Sequence, residues 1–438
     1  MVTASSRALD REIFALAIPT FATLVSEPLL LLADSAIVGH LGVEQLAGLG
    51  IASNVLGVLI GLSIFLAYGT TGAVARRLGG GDRGGALAAG FDGMVLAVLV
   101  GTVLAVLLHA VLEPVIGLYD LSPTVATQAT TYLRIAAFGL PGVLLTLAST
   151  GVLRGLQDTR TPLYVVIATN LANIGLNLLL VYGIGLGIAG SALGTLIAQG
   201  CAAVVLAAVV VRGMRRAGAP LRFRPAGVLG AARTGIWLVL RTAALQAGIT
   251  LTTVVAAGFG AVALAAHQIS VSIWTLLAFA LDAIAIAGQA IIGRTLGAGD
   301  PTLGRAMTRR MIGWGIVFGV AFGLVMALTR SLYVGLFTPD RQVQALLGQV
   351  LVVMAVAAPI AGVVFVLDGV LIGAGDGRYL ALASLIALIA YVPAAVAVEH
   401  AAAGLVWLWA AYGWYVTARM LTLLWRIRGD AWLRTGAI

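Results

Sequence analysis

The segment LGGGD at 78–82 returns as LGAGD at 296–300, and RGLQDTR at 154–160 returns as IGAGDGR at 372–378. Asp82 to Asp300 and Asp158 to Asp376 span the same 218 residues. Pro141 and Pro359 keep that offset, as do Arg76 and Arg294. Agreement at one gapless offset marks a duplicated chain, the internal symmetry on which many membrane transporters are built. The two glycine-rich segments lack the strand and the lysine of a phosphate cradle, so they read as tight turns.

What lies between these turns is strongly apolar. Of 438 residues, 61% are hydrophobic and only 10% charged, with a mean hydropathy of +1.07. Such a chain has too little polar surface for a water-soluble globule and uses lipid as its solvent. A spanning helix needs roughly 20 apolar residues. The apolar runs predict about twelve spans, near 12–38, 45–74, 87–112, 124–152, 162–184, 188–212, 233–257, 263–292, 308–332, 342–371, 379–398 and 402–425. The first is read as a span rather than a cleaved signal, having no convincing small-residue cleavage site before Asp34.

The fold class expected is therefore an all-α integral membrane protein of two pseudo-symmetric bundles. An amino-terminal six-helix bundle covers 1–212, a linker 213–232 and a carboxy-terminal six-helix bundle 233–438. Six spans, an even number, separate equivalent points, so the repeats are parallel. Arginines gather in alternate loops, at 76–83, 154–160, 212–224, 294–305, 378 and 426–428. The positive-inside rule makes these loops and both termini cytoplasmic, in a multi-pass cell membrane protein. The net charge of +9 then reports orientation, and nucleic acid is not expected as a partner.

All 26 basic residues are arginines. Without lysine there is no Walker A loop and no Schiff-base cofactor. Cys201 is alone and the four histidines show no ligand spacing, so neither a metal nor any cofactor is expected. No Ser-His, HExxH or paired-aspartate motif points to an intramembrane enzyme.

Charges inside spans are costly and usually face a cavity where they do work. Glu27, Asp34, Asp92, Asp282 and Asp368 qualify by position. Glu27 and Asp34 lie seven residues apart, about two helical turns, on one face, with Pro28 loosening the backbone between them. Asn170, Asn173 and Asn177 place amides on adjacent turns of the fifth span, the last two on one face. These amides can bond Asp34, or can simply join helices. Asp282 and Gln289 share a face of the eighth span. The repeat partners of Asp34, Asp282 and Asp368 are Thr252, Ile64 and Thr150, so the carboxylates are additions to a duplicated scaffold. Asp92 is expected to pair with cytoplasmic arginines.

The stretches EPLLLLADSAIVGHLG at 27–42, RGLQDTRTPLY at 154–164, LAAHQISVSIW at 264–274, LDAIAIAGQAIIGRTLGAGD at 281–300 and LDGVLIGAGD at 367–376 together resemble the multidrug and toxic compound extrusion (MATE) family, in its DinF-like branch. The resemblance covers nearly the whole chain. It implies a V-shaped pair of bundles exporting small amphipathic, often cationic, organic compounds in exchange for protons or sodium ions, with Asp34 matching the branch's leading ion-coupling position. The family's fifth span usually reads Asn, three residues, then Asp; here Asn173 is followed by Asn177.

The combined expectation is a proton-coupled, monomeric efflux antiporter working by rocker-type alternating access in contact with membrane lipid. Asp34 and Glu27 serve coupling, and Asn170, Asn173, Asn177, Asp282, Gln289 and Asp368 line the substrate cavity. The lost aspartate leaves fewer anionic oxygens for sodium, a hard cation. A sodium-coupled exporter and a flippase of a lipid-linked precursor are the alternatives, the latter requiring a cleft lined with arginines.

Overall fold

Hydrocarbon offers no partner for backbone N–H and C=O groups, so each apolar run must satisfy its own as a helix. The computed structural model describes residues 6–436, and among the described residues no strand occurs. Residues 1–5 and 437–438 of the two expected bundles, with the termini expected to be cytoplasmic, lie outside the described residues.

The first half comprises α1 (Ser6–Gly39), α2 (Val43–Ser63), α3 (Phe65–Gly79), α4 (Arg83–Gly117), α5 (Pro123–Ala137), α6 (Leu140–Gly155), α7 (Arg160–Leu178) and α8 (Gly187–Arg216). The second comprises α9 (Pro225–Gly258), α10 (Ala261–Gly297), α11 (Pro301–Leu328), α12 (Arg330–Phe337), α13 (Arg341–Gly373), α14 (Gly377–His400) and α15 (Leu405–Arg428). A π-helical turn, Leu179–Gly183, continues α7.

The sequence offset reappears in the elements. Starts at Val43, Arg83, Pro123 and Gly187 answer starts at Ala261, Pro301, Arg341 and Leu405, each 218 residues on. Packing repeats too. A methyl group on Gly101 would come within 2.6 Å of Pro141 Cα, and one on Gly319 within 2.6 Å of Pro359 Cα. Both halves therefore depend on a glycine against the proline-bearing helix, the close approach that membrane helices use where no hydrophobic effect drives them together.

Among the described residues, ten helical stretches are long and apolar enough to cross a membrane, or eleven with α5 and α6 taken as one span bent by 53°. The twelfth is α15, whose tryptophans, tyrosines and Arg419 lower its hydropathy. The bend falls at Phe138–Gly139, ahead of Pro141. Pro359 sits inside an unbroken α13, where Ala357 holds the place of Gly139. Proline weakens both helices by removing a donor, and the adjacent glycine accounts for the break in one.

Several expected boundaries move. The stretch between the halves shortens to 217–224, because α8 runs on to Arg216 and α9 opens at Pro225, whose missing N–H suits a first turn. The span expected at 308–332 stops at Leu328, and the short α12 follows it.

By its contacts the chain divides into two compact units, Ala22–Gly235 and Met1–Phe21 with Ile236–Ile438. Each repeat's first helix thus begins in the unit of the opposite half. The start of α1 is held by Asp10, which accepts Nε and Nη2 of Arg310 at 2.6 Å each and Trp314 Nε1 at 2.7 Å. Phe14 packs edge-on to Trp314 at 4.7 Å, and Glu12 pairs with Arg294. On the other side, Asp92 of α4 accepts Arg224 Nη2 at 2.5 Å, just ahead of α9. Positions 310 and 92 are equivalents under the 218-residue offset, yet one is the base and the other the acid. The two tethers are charge-reversed, which favours each first helix in its own seat over the other's.

Candidate functional site

Asp34 lies in the later part of α1, buried with 4% of its surface exposed. Its Oδ1 accepts the amide of Asn177 at 2.7 Å. Asn177 also donates to Asn173 Oδ1 at 2.8 Å, as their one-turn spacing on α7 allows. Asn173 in turn donates to Thr195 Oγ1 of α8 at 3.1 Å, and Thr195 is hydrogen-bonded to the hydroxyl of Tyr132 on α5. One polar chain therefore runs from α1 through α7 and α8 to α5.

Local sequence makes room for it. Gly194 of α8 stands where any side chain would run into Asn177 Oδ1. That oxygen has no hydrogen-bond partner among the described residues. Tyr182, in the π-helical turn directly after the asparagines, donates to the Ile37 carbonyl at 2.5 Å. The turn thereby ties the end of α7 to α1 one helical turn beyond Asp34.

In front of Asp34 lies a cavity of about 170 Å³. Its polar walls come from Glu27, Asp34, Ser53, Tyr132, Thr195 and Gln199, and the remainder is mostly aliphatic, from Leu30, Leu56 and Ile60 among others. Glu27 and Asp34 share this wall, as their seven-residue spacing requires. Glu27 is exposed and takes part in no ion pair among the described residues. No arginine lines the cavity.

The asparagines stand elsewhere than on the expected cavity wall. Asn173 and Asn177 are fully buried behind Asp34, and Asn170 donates to the Ser26 carbonyl at 2.9 Å, joining α7 to α1. Asn177 spends both donors of its amide, on Asp34 and on Asn173.

Asp282, Gln289 and Asp368 belong to the other compact unit. Asp282 is half-buried on α10, and Gln289 is 1% exposed among the glycines and alanines where α10 meets α13. Asp368 Oδ2 accepts Arg241 Nη2 at 2.6 Å and also bonds Arg419 Nη2. Desolvated opposite charges must pair, and this site holds two cations to one anion. Thr252, the repeat partner of Asp34, bonds the Tyr391 hydroxyl at 2.6 Å.

Sequence reasoning missed Tyr132, Thr195 and Gly194, and it missed the arginine clamp. The signal for the clamp was present. Arg419 stands in the interior of an apolar run, where only a buried carboxylate could balance it. Arg134, at the end of α5, is exposed beside Glu113 at 3.7 Å. Asp92 is paired with an arginine as expected.

Comparison with known proteins bears on both halves. The family model described as MatE matches residues 19–179 and 238–396. The chain is 28% identical over 446 residues to Protein DETOXIFICATION 44, chloroplastic, of Arabidopsis thaliana, covering 96% of this chain and 82% of that one. It is 28% identical over 384 residues to DNA damage-inducible protein F of Escherichia coli, covering 83% and 81%. Its fold superposes on the crystal structure of a Vibrio cholerae MATE transporter with a TM-score of 0.89 at 22% identity, over 98% of this chain and 99% of that one.

Proposed function

The chain belongs to the MatE family, and from that premise we propose that this multi-pass membrane transporter is an antiporter that exports small amphipathic or cationic organic compounds in exchange for protons, with Asp34 carrying the coupling proton. Transporters of this family handle small organic substrates and are driven by ion gradients. The observation that carries the proton assignment is the company Asp34 keeps. It is buried, opens on a cavity of about 170 Å³, and has an amide donor but no ion pair among the described residues.

A carboxylate so placed has its charge balanced by no fixed cation. A proton can balance it, and so can a cationic substrate. Because both act on the same charge they exclude one another, which is the condition for exchange rather than co-transport. The amide of Asn177 can donate to either form of the carboxyl, so the contact survives loading and unloading. Asn173, Thr195 and Tyr132 carry any shift of that amide across four helices. Glu27 offers a second carboxyl on the same wall. In this reading alternating access is a rocking of the halves, the arginine-rich loops are cytoplasmic, and the monomer is sufficient.

Sodium coupling is the weaker reading. With Asn177 standing where the family usually has a carboxylate, fewer anionic oxygens remain for a hard cation. The lipid-linked flippase draws no support from this cavity, whose walls hold no arginine to grip a pyrophosphate.

The test is efflux of a cationic dye from proteoliposomes under an imposed pH gradient and, separately, an imposed sodium gradient, with wild type and Asp34→Asn. Proton-driven efflux that vanishes in the variant is the expected result. Efflux driven by sodium alone would reassign the ion, and a variant as active as wild type would remove Asp34 from the mechanism.

A further inference from the structure

At the end of the bundle opposite the arginine-rich turns, α11 stops at Leu328 and α12 crosses to the start of α13 at Arg341. This junction frames an open cavity of about 1030 Å³. Arg330, Arg341, Gln344, Gln349 and Ser331 supply its polar groups, and Val334, Val352 and Val353 are among its apolar ones. Both arginines are exposed, and neither takes part in an ion pair among the described residues. Gln344 is held by its bond to the Thr338 carbonyl at 2.7 Å. The adjacent carboxylate, Asp340, caps α13 by accepting the amides of Gln342 at 2.7 Å and Val343 at 3.2 Å.

The helix beside the cavity is built to lie in a lipid boundary. Val334 is buried, and Tyr333 donates to the Met326 carbonyl at 2.9 Å, which fixes one side of α12. The other side presents Leu332 at 76% exposure and Leu336 at 84%, with Leu328 at 77% just before the helix. An exposed apolar face beside cationic groups is the pattern of an interfacial helix on an anionic membrane.

The other half has no counterpart. The residues equivalent to Arg330, Arg341, Gln344 and Gln349 are Leu112, Pro123, Ala126 and Thr131. The duplicated scaffold therefore does not account for the basic cavity. Two unneutralised guanidinium groups in the arginine-poor end of a membrane protein also run against the usual loop charge pattern.

We propose that this cavity binds the headgroup of an anionic glycerophospholipid. Arg330 and Arg341 hold the phosphodiester through charge-assisted hydrogen bonds, and Gln349 and Ser331 reach the headgroup hydroxyls. The acyl chains leave over Leu332 and Leu336. A volume of about 1030 Å³ is at the scale of sites for whole organic molecules rather than for a lone phosphate. The inference does not depend on the coupling ion or on the exported compound.

Native mass spectrometry of the full-length protein, released from micelles doped equally with phosphatidylglycerol and phosphatidylcholine, tests this directly. Wild type is expected to retain phosphatidylglycerol over phosphatidylcholine by about tenfold, and the double variant Arg330→Gln/Arg341→Gln to lose the preference. Its melting temperature in phosphatidylcholine alone should match wild type, since both positions are exposed. Arg134→Gln, at the same end of the other half, should keep the preference. Equal retention of the two lipids by wild type, or an unchanged preference in the double variant, would overturn the proposal. So would thermal stabilisation by inorganic phosphate equal to that by phosphatidylglycerol, which would make the cavity a soluble-anion site.

Discussion

Asp34 and Asp368 are each 4% exposed, and each stands in the interior of a long apolar helix. Their surroundings are opposite. Asp34 has one amide and an open cavity, whereas Asp368 is closed in by Arg241 and Arg419. A buried carboxylate is therefore not by itself a sign of a working site. The identity of the balancing charge decides. Where the protein supplies that charge, the group is part of the fold; where it leaves the charge to a visitor, the group can bind and release one.

Removing each carboxyl is the sharpest way to break this contrast. Asp34→Asn is expected to take gradient-driven efflux in proteoliposomes down to the level of protein-free vesicles, with thermal unfolding in detergent little changed. Asp368→Asn should do the reverse. It removes the buried anion that Arg241 and Arg419 share, at a cost of about 3–5 kcal/mol, read as a lower melting temperature and folded yield. Transport per folded molecule should persist. A variant of Asp368 that folds like wild type but cannot transport would erase the distinction.

Smaller effects would sharpen it. Asn177→Ala removes the donor to Asp34, and a hydrogen bond to a charged group contributes about 1.5–3 kcal/mol, so coupled efflux is expected to fall by roughly tenfold or more. Asn177→Asp adds an anionic oxygen beside Asp34 and is expected to bring in a dependence on sodium, measured as efflux under a sodium gradient at constant pH. Glu27→Gln should have the smallest effect, about a few-fold in rate, because Glu27 lines the cavity without an ion pair among the described residues. A loss as complete as that of Asp34→Asn would make the two carboxyls a single coupled unit.

The architecture was legible because its evidence is one-dimensional. Apolar length marks a span, and a gapless offset survives from Asp82 and Asp300 to the helix starts at Val43 and Ala261. Glu27 and Asp34 were legible for the same reason, their shared face being a matter of helical period. The clamp on Asp368 was not, because its two cations lie 127 and 51 residues away on other helices. Nor were Thr195 and Tyr132, whose hydroxyls look like any others until helix packing places them beside Asn173. The three asparagines show the limit of periodicity. It set them on neighbouring turns, but it could not say that Asn170 would turn to a backbone carbonyl while the other two stood behind Asp34.

The crossed seating of the first helices bears on how the chain is made. Asp10 emerges from the ribosome 300 residues before Arg310, so at about 5–20 residues per second its partner arrives roughly 15–60 s later. Through that interval the beginning of the protein must stay unoccupied by wrong neighbours. Arg224 meets the opposite situation, since Asp92 precedes it by 132 residues and already exists when α9 begins to be synthesised. One junction closes as soon as it is made, and the other closes late.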